Sequence, residues 1–156
     1  MDDTIKPKRE FLGTVYIIDN GKVLLTFNKK VQNYVPLGGH VDENELPCEC
    51  AVREAKEESG YDIELIDGND FTSSKIPQNF SIGLDIIKPD HHHINIAYIG
   101  RIIGGEELDK SDEGTELRWF TKDESEQIED LFEDVKEGGL KALQIFDKYM
   151  EMQNAK

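Results

Sequence analysis

The stretch GHVDENELPCECAVREAKEESGY, Gly39 to Tyr61, decides how the rest of the chain is read. Pro47 suits the first turn of a helix, where its missing N–H costs nothing, and Gly60 suits the end of one. Between them lie Ala, Glu, Lys, Arg and Val, with no helix breaker. At about 100° per residue, Glu54, Glu57 and Glu58 fall within an arc of about 100° on that helix. Cys48, Ala51, Val52, Ala55 and Ser59 share a different face, and their small side chains predict a close approach to a sheet. Arg53 stands one turn before Glu57, where its guanidinium can hold that carboxylate.

Three carboxylates at i, i+3 and i+4 repel one another. A solvated, charged helix face is the ordinary reading of such a run. A hard divalent cation changes the sign of the argument, because Mg²⁺ prefers oxygen ligands and also bridges phosphates. On this reading, replacing the three glutamates by glutamine should slightly raise the metal-free stability and abolish the response to Mg²⁺.

The spacing favours the metal. Gly39, Glu45, Arg53, Glu54, Glu57, Glu58 and Gly60 match all seven fixed positions of the Nudix box, so the chain resembles the MutT-like Nudix hydrolases. Ala55 and Tyr61 stand where that motif has bulky aliphatic residues. The resemblance implies an α/β/α sandwich over roughly residues 11–150. It implies a metal-dependent hydrolase cleaving the diphosphate of a nucleoside diphosphate linked to another moiety, ADP-ribose-like or a nucleoside triphosphate. It further implies Mg²⁺ or Mn²⁺ held by Glu54, Glu57, Glu58 and the backbone carbonyl of Gly39. Catalysis would fall to Glu54 or Glu57, acting on water, with Glu45 and Arg53 in support. A carboxylate before the last strand often supplements the box in this family, and Glu113 and Glu116 are the candidates. A proline beyond the box is associated there with ADP-ribose pyrophosphatases; Pro77 lies sixteen residues past Tyr61. The alternative is a non-catalytic Nudix-like module that senses a nucleotide. Such modules are expected to lose box glutamates, and this chain keeps all of them. Isoprenoid diphosphate isomerisation would want a catalytic cysteine and a different surrounding pattern.

The 156 residues suit a single domain with a real core, with residues 1–10 as a charged, loose lead-in. A net charge of −15 argues against binding long nucleic acid, though not against a nucleotide whose phosphates arrive with metal. The N-terminus lacks the apolar segment of a signal peptide. No apolar run reaches the ~20 residues of a membrane span. A cytoplasmic protein, monomeric or homodimeric, acting on a small nucleotide derivative is expected. Cys48 and Cys50 point apart on a helix, so they read as free thiols. Thiolate is too soft for Mg²⁺, so Cys50 reads as a packing residue.

In chain order, Phe11 to Ile18 is rich in β-branched and aromatic residues and predicts a strand. Asn20-Gly21 predicts a tight hairpin turn, since both positions accept positive φ, and Val23 to Phe27 is the returning strand. Asn28 to Asn33 is a polar loop, Tyr34 to Leu37 a short extended piece, and Gly38-Gly39 the start of the loop into the helix. Further strands are expected at Asp62–Ile66, Phe80–Ile87, His92–Ile103 and Glu116–Phe120, with turns at 67–70 and 88–90 and an acidic loop at 104–115. Thr121 with Glu124 predicts a capping box, and the apolar stripe Leu140, Leu143, Ile145, Phe146, Tyr149 a last helix from 137 or 140 to 152. Mixed strands with two or three helices give the α/β class with one mixed sheet.

His91-His92-His93 reads as the solvated start of a strand. His91 and His93 should face one way and His92 the other; the alternative to a solvated end is that one of them stacks on a base or touches a phosphate at the site mouth, while a zinc site of all three is disfavoured because adjacent residues cannot converge on one ion. Asp109 to Gly114 resembles half an EF-hand loop, but Phe120 stands where the bidentate glutamate should be. No Walker loop, dinucleotide fingerprint or nucleophile elbow is found.

Overall fold

The computed structural model describes residues 6–67, 76–109 and 116–156. Strand β1 (Lys8–Asp19) is the spine of the molecule, because it pairs with three others. It turns at Asn20 (φ 48°) and Gly21 (φ 72°) into β2 (Lys22–Asn28), with Asp19 opposite Lys22. Two successive left-handed residues make the tight turn whose twist suits a hairpin. β3 (Asn33–Val35) returns along β2, and β4 (Leu37–His40) pairs antiparallel with β1. Helix α1 (Pro47–Ser59) follows, then β5 (Tyr61–Leu65), β6 (Ser81–Lys88), β7 (His91–Gly105) and β8 (Leu117–Thr121). Short α2 (Lys122–Gln127) and long α3 (Glu133–Asn154) complete the chain.

The sheet runs β3-β2-β1-β7-β5, with β4 on β1, β6 on β7 and β8 on β2. Only β1 and β7 are parallel among the paired strands, from Lys8 opposite His91 to Ile17 opposite Gly100. Residues 13–18 of β1 are buried on both faces, the pattern of a strand covered by layers on each side. Val15, Ile17, Leu24, Leu37 and Tyr98 pack with Cys48, Ala51 and Ala55 of α1. The alternate residues Tyr16, Ile18, Val23, Leu25, Ala97 and Ile99 pack with Val135, Ala142 and Leu143 of α3. This is the expected α/β/α sandwich around a mixed sheet.

Several boundaries differ from the sequence reading. β1 starts at Lys8, so the last three residues of the supposed lead-in are paired strand, hydrogen-bonded along the polar start of β7. Gly38 and Gly39 belong to β4, opposite Thr14 and Gly13. A Cβ at Gly38 would overlap the carbonyl of Gly13, so this strand tolerates only glycine there. On α1, Val52 is exposed and Cys50 fully buried instead; the helix is rotated slightly from the face drawn by a regular wheel. α3 begins at Glu133, since Gly138 and Gly139 do not break it. The expected turn at 67–70 beyond Asp67, most of 71–78 and nearly all of 109–115, including Glu113, lie outside the described residues.

Candidate active site

Helix α1 delivers the acidic residues, and its two ends are fixed by local chemistry. Pro47 opens it; the Glu49 carboxylate accepts a hydrogen bond from the N–H of Leu46 at 2.9 Å. Gly60 closes it in left-handed backbone (φ 84°), its N–H donating to the carbonyl of Lys56. With the small face of α1 pressed on the sheet, Glu54, Glu57 and Glu58 border one cleft of about 490 Å³.

Each glutamate has a defined partner. Glu58 accepts a hydrogen bond from the backbone N–H of Gly38 at 3.1 Å. Glu54 lies directly on Gly39, where an added Cβ would overlap its carboxylate oxygen. That close approach is a physical reason for glycine at the first position of the motif. Arg53 reaches Glu54 at 3.0 Å and Glu57 at 3.3 Å. Its strongest partner is Glu45, which it grips through Nε at 2.7 Å and a second nitrogen at 2.9 Å. Held this way by Arg53, Glu45 has its pKa lowered from 4.5 to about 2. Arg53 therefore ties the loop before α1 to two carboxylates on it, a wider role than the single Arg53–Glu57 contact expected from spacing.

Cys50 is a packing residue, as its softness suggested. Its thiol lies 3.3 Å from the carbonyl of Gly39 and 3.4 Å from that of His40. Burial pushes its pKa up to about 11, so it stays protonated. Glu116 is held by β2 and β3: its carboxylate accepts from the hydroxyl of Tyr34 at 3.0 Å, and its carbonyl pairs with the N–H of Phe27, a residue that borders the cleft. It is not among the residues bordering the cleft. Pro77 precedes Gln78 to Phe80, which border a different cavity, against α3.

The cleft also brings in residues that the motif does not contain. Lys29 and Lys30, from the turn after β2, border the same cleft as the glutamates, and so does His40. A basic pair in so acidic a chain was the available signal, and it read only as a polar loop. Cations in the same cleft as a carboxylate cluster suit a ligand that is itself anionic and arrives with metal.

A family model described as the NUDIX domain matches residues 11–139. The chain belongs to the Nudix family. Among solved structures, a NUDIX-family hydrolase from Clostridium perfringens is 30% identical with a TM-score of 0.78, covering 89% of this chain and 99% of that one. A MutT NUDIX hydrolase from Burkholderia pseudomallei shares the fold at 20% identity and a TM-score of 0.63, covering 88% and 97%. A UDP-X diphosphatase does so at 14% identity and 0.62, covering 91% of this chain and 64% of its own. The two departures of this Nudix domain from the box are both accommodated in packing. Ala55 is fully buried against the sheet, and Tyr61 meets Trp119 edge-on at 6.3 Å. No helix among the described residues is long and apolar enough to cross a membrane.

Proposed function

We propose that this Nudix domain is a pyrophosphohydrolase that cleaves the diphosphate of a nucleoside diphosphate linked to another moiety. The observation that carries this reading is the cleft bordered by Glu54, Glu57 and Glu58 together with Lys29 and Lys30. The donor set fits a hard divalent ion, Mg²⁺ or Mn²⁺: the three carboxylates and the Gly39 carbonyl are oxygen donors, and the one adjacent thiol stays protonated. Glu54, Glu57 and Glu58 would hold it, with the Gly39 carbonyl at hand. When bound, such an ion neutralises phosphate charge and makes water a better nucleophile.

The chain's own groups supply the rest. Lys29 and Lys30 draw the phosphates to the mouth of the cleft. Arg53 fixes Glu54 and Glu57 against rotation, and the Gly38 N–H fixes Glu58. Glu54 or Glu57 orients the attacking water and accepts its proton, while the phosphorus–oxygen bond of the leaving phosphate breaks. The test is turnover of ADP-ribose, nucleoside triphosphates and dinucleoside polyphosphates with Mg²⁺ and with chelator. Hydrolysis of at least one class, lost with chelator, is expected. Binding without turnover across the whole panel would instead identify a nucleotide sensor.

A further inference from the structure

Outside the cleft chemistry, one cluster of ligating side chains among the described residues has no role. His91 and His93 lie on the same side of β7, two residues apart, and the parallel register sets His93 opposite Glu10 of β1. Two residues further along that side of β1, Leu12 pairs with His40 of β4. Three neighbouring strands thus bring three imidazoles and a carboxylate to one patch of the sheet. By strand alternation it is the face opposite the one on which Gly39 meets Glu54, and His40, which also borders the cleft, stands where the two adjoin.

The geometry is convergent. The Nε2 atoms of His91, His40 and His93 lie 2.6, 3.4 and 3.8 Å from the same oxygen, Oε2 of Glu10. The donor atoms of Glu10, His91 and His93 all fall within 4.8 Å of one another. With metal–ligand bonds of about 2.0–2.1 Å, tetrahedral donors sit roughly 3.3 Å apart, so small side-chain shifts bring these three onto one ion, and His40, 3.4 Å from Glu10, is the available fourth. A hydrogen-bond network alone leaves it unfinished: His91 takes the short bond to Glu10, and Nε2 of His93 is buried with no hydrogen-bond partner among the described residues. Lys8 sits on the other carboxylate oxygen of Glu10 at 2.8 Å.

We infer that Glu10, His40, His91 and His93 form a binding site for a divalent transition-metal ion of the Zn²⁺ type, distinct from the oxygen-lined cleft. Three imidazoles with one carboxylate suit such ions and not Mg²⁺. The three consecutive histidines cannot converge on their own, and they do not: His92 faces away, and the remaining ligands come from β1 and β4.

The test titrates the full-length chain with Zn²⁺ against a chromophoric chelator, and with Co²⁺ followed by visible absorption, both in excess Mg²⁺. One equivalent should bind in the presence of Mg²⁺, with the intense spectrum of a four-coordinate Co²⁺ centre. His93→Gln and His91→Gln should each weaken binding at least ~10²-fold, beyond the 10–100-fold cost of losing an outer partner of a ligand. Glu57→Gln/Glu58→Gln should leave it unchanged. Circular dichroism of each variant establishes that the fold is intact, and Glu10→Gln, on a different strand, gives a second reading if a histidine variant fails to fold. Unchanged Zn²⁺ affinity in the folded histidine or Glu10 variants, or loss of the site with Glu57→Gln/Glu58→Gln, would overturn the assignment.

Discussion

Arg53 holds more together than any other single side chain of the site. It binds Glu45 through two nitrogens and reaches both Glu54 and Glu57. Two expectations follow at this scale. Glu57→Gln and Glu58→Gln should each lower kcat by at least ~10²-fold, the size of a lost electrostatic contact to developing charge. Glu116→Gln, at a residue whose carboxylate is bonded to Tyr34 and does not border the cleft, should change it little; steady-state kinetics of the three variants checks both statements, and a large loss at Glu116 would make it a further candidate ligand. The second concerns stability. The folded pKa of Glu45 is lowered from 4.5 to about 2, so its pairing stabilises the protein above pH 4.5 and is lost as the pH falls toward 2. Arg53→Ala should therefore be less stable than the parent at pH 7, with the gap narrowing between pH 4.5 and 2. Urea midpoints at pH 7, 3.5 and 2.5 measure it; an equal gap at all three would mean that Arg53 acts through packing instead. Most of these residues were legible in advance, because the motif fixes acid spacing on a helix. Glu45 as the main partner of Arg53 was not, since the pair is eight residues apart across a loop whose path no periodicity sets. Lys29, Lys30 and Glu10 were invisible as site residues for the same reason: strand pairing, not spacing, brings them in.

At the scale of elements, the hairpin at Asn20-Gly21, the capping box at Thr121 with Glu124, and helix α1 from Pro47 to Gly60 all appear where local chemistry placed them. These signals depend on a few adjacent residues. The start of α3 depends on tertiary contact, and there the local signal misled. Gly138-Gly139 looks like a boundary, yet the helix runs through it because glycine lets it approach β1 closely. A Cβ at Gly138 would overlap the hydroxyl of Tyr16, a buried ring also packed edge-on against Phe80 at 5.6 Å. At Gly139 the nearest atoms would be Val23 Cγ1 at 3.7 Å and Tyr16 Cε1 at 3.9 Å, ordinary contact. Neighbouring substitutions should thus have opposite signs. Gly139→Ala should stabilise by about 0.5–1 kcal/mol, the helix preference for alanine. Gly138→Ala gains the same preference but must displace the Tyr16 ring, an overpacking cost of about 1–3 kcal/mol, and should be net destabilising. Thermal or urea unfolding of the two variants decides it; equal shifts would show that α3 sits further from the sheet.

At the scale of the molecule, the −15 charge sets the question of what a divalent ion does to the fold. Spacing alone makes the three glutamates a strained, self-repelling face, each like-charge pair costing roughly 0.2–0.5 kcal/mol. The structure changes the sign of one consequence. Arg53 compensates Glu54 and Glu57, and the Gly38 N–H compensates Glu58. Replacing all three by glutamine should therefore lower the metal-free Tm, because Arg53 loses two of its charged partners and a backbone donor loses a charged acceptor. The response to metal keeps its expected direction. An ion that binds only the folded arrangement adds RT ln(1 + [L]/Kd), about 2.7 kcal/mol at a hundredfold excess over Kd. Tm should climb with Mg²⁺ through the millimolar range in the parent chain and stay flat in the triple variant. Na⁺ at matched ionic strength separates this from screening of the net charge, whose reach is about 10 Å at 0.1 M. Zn²⁺ must be kept out by a selective chelator, since Glu10 and the histidines would contribute their own stabilisation. A rise that Na⁺ reproduces in full, or one that survives in the triple variant, would mean that Mg²⁺ is not held by α1.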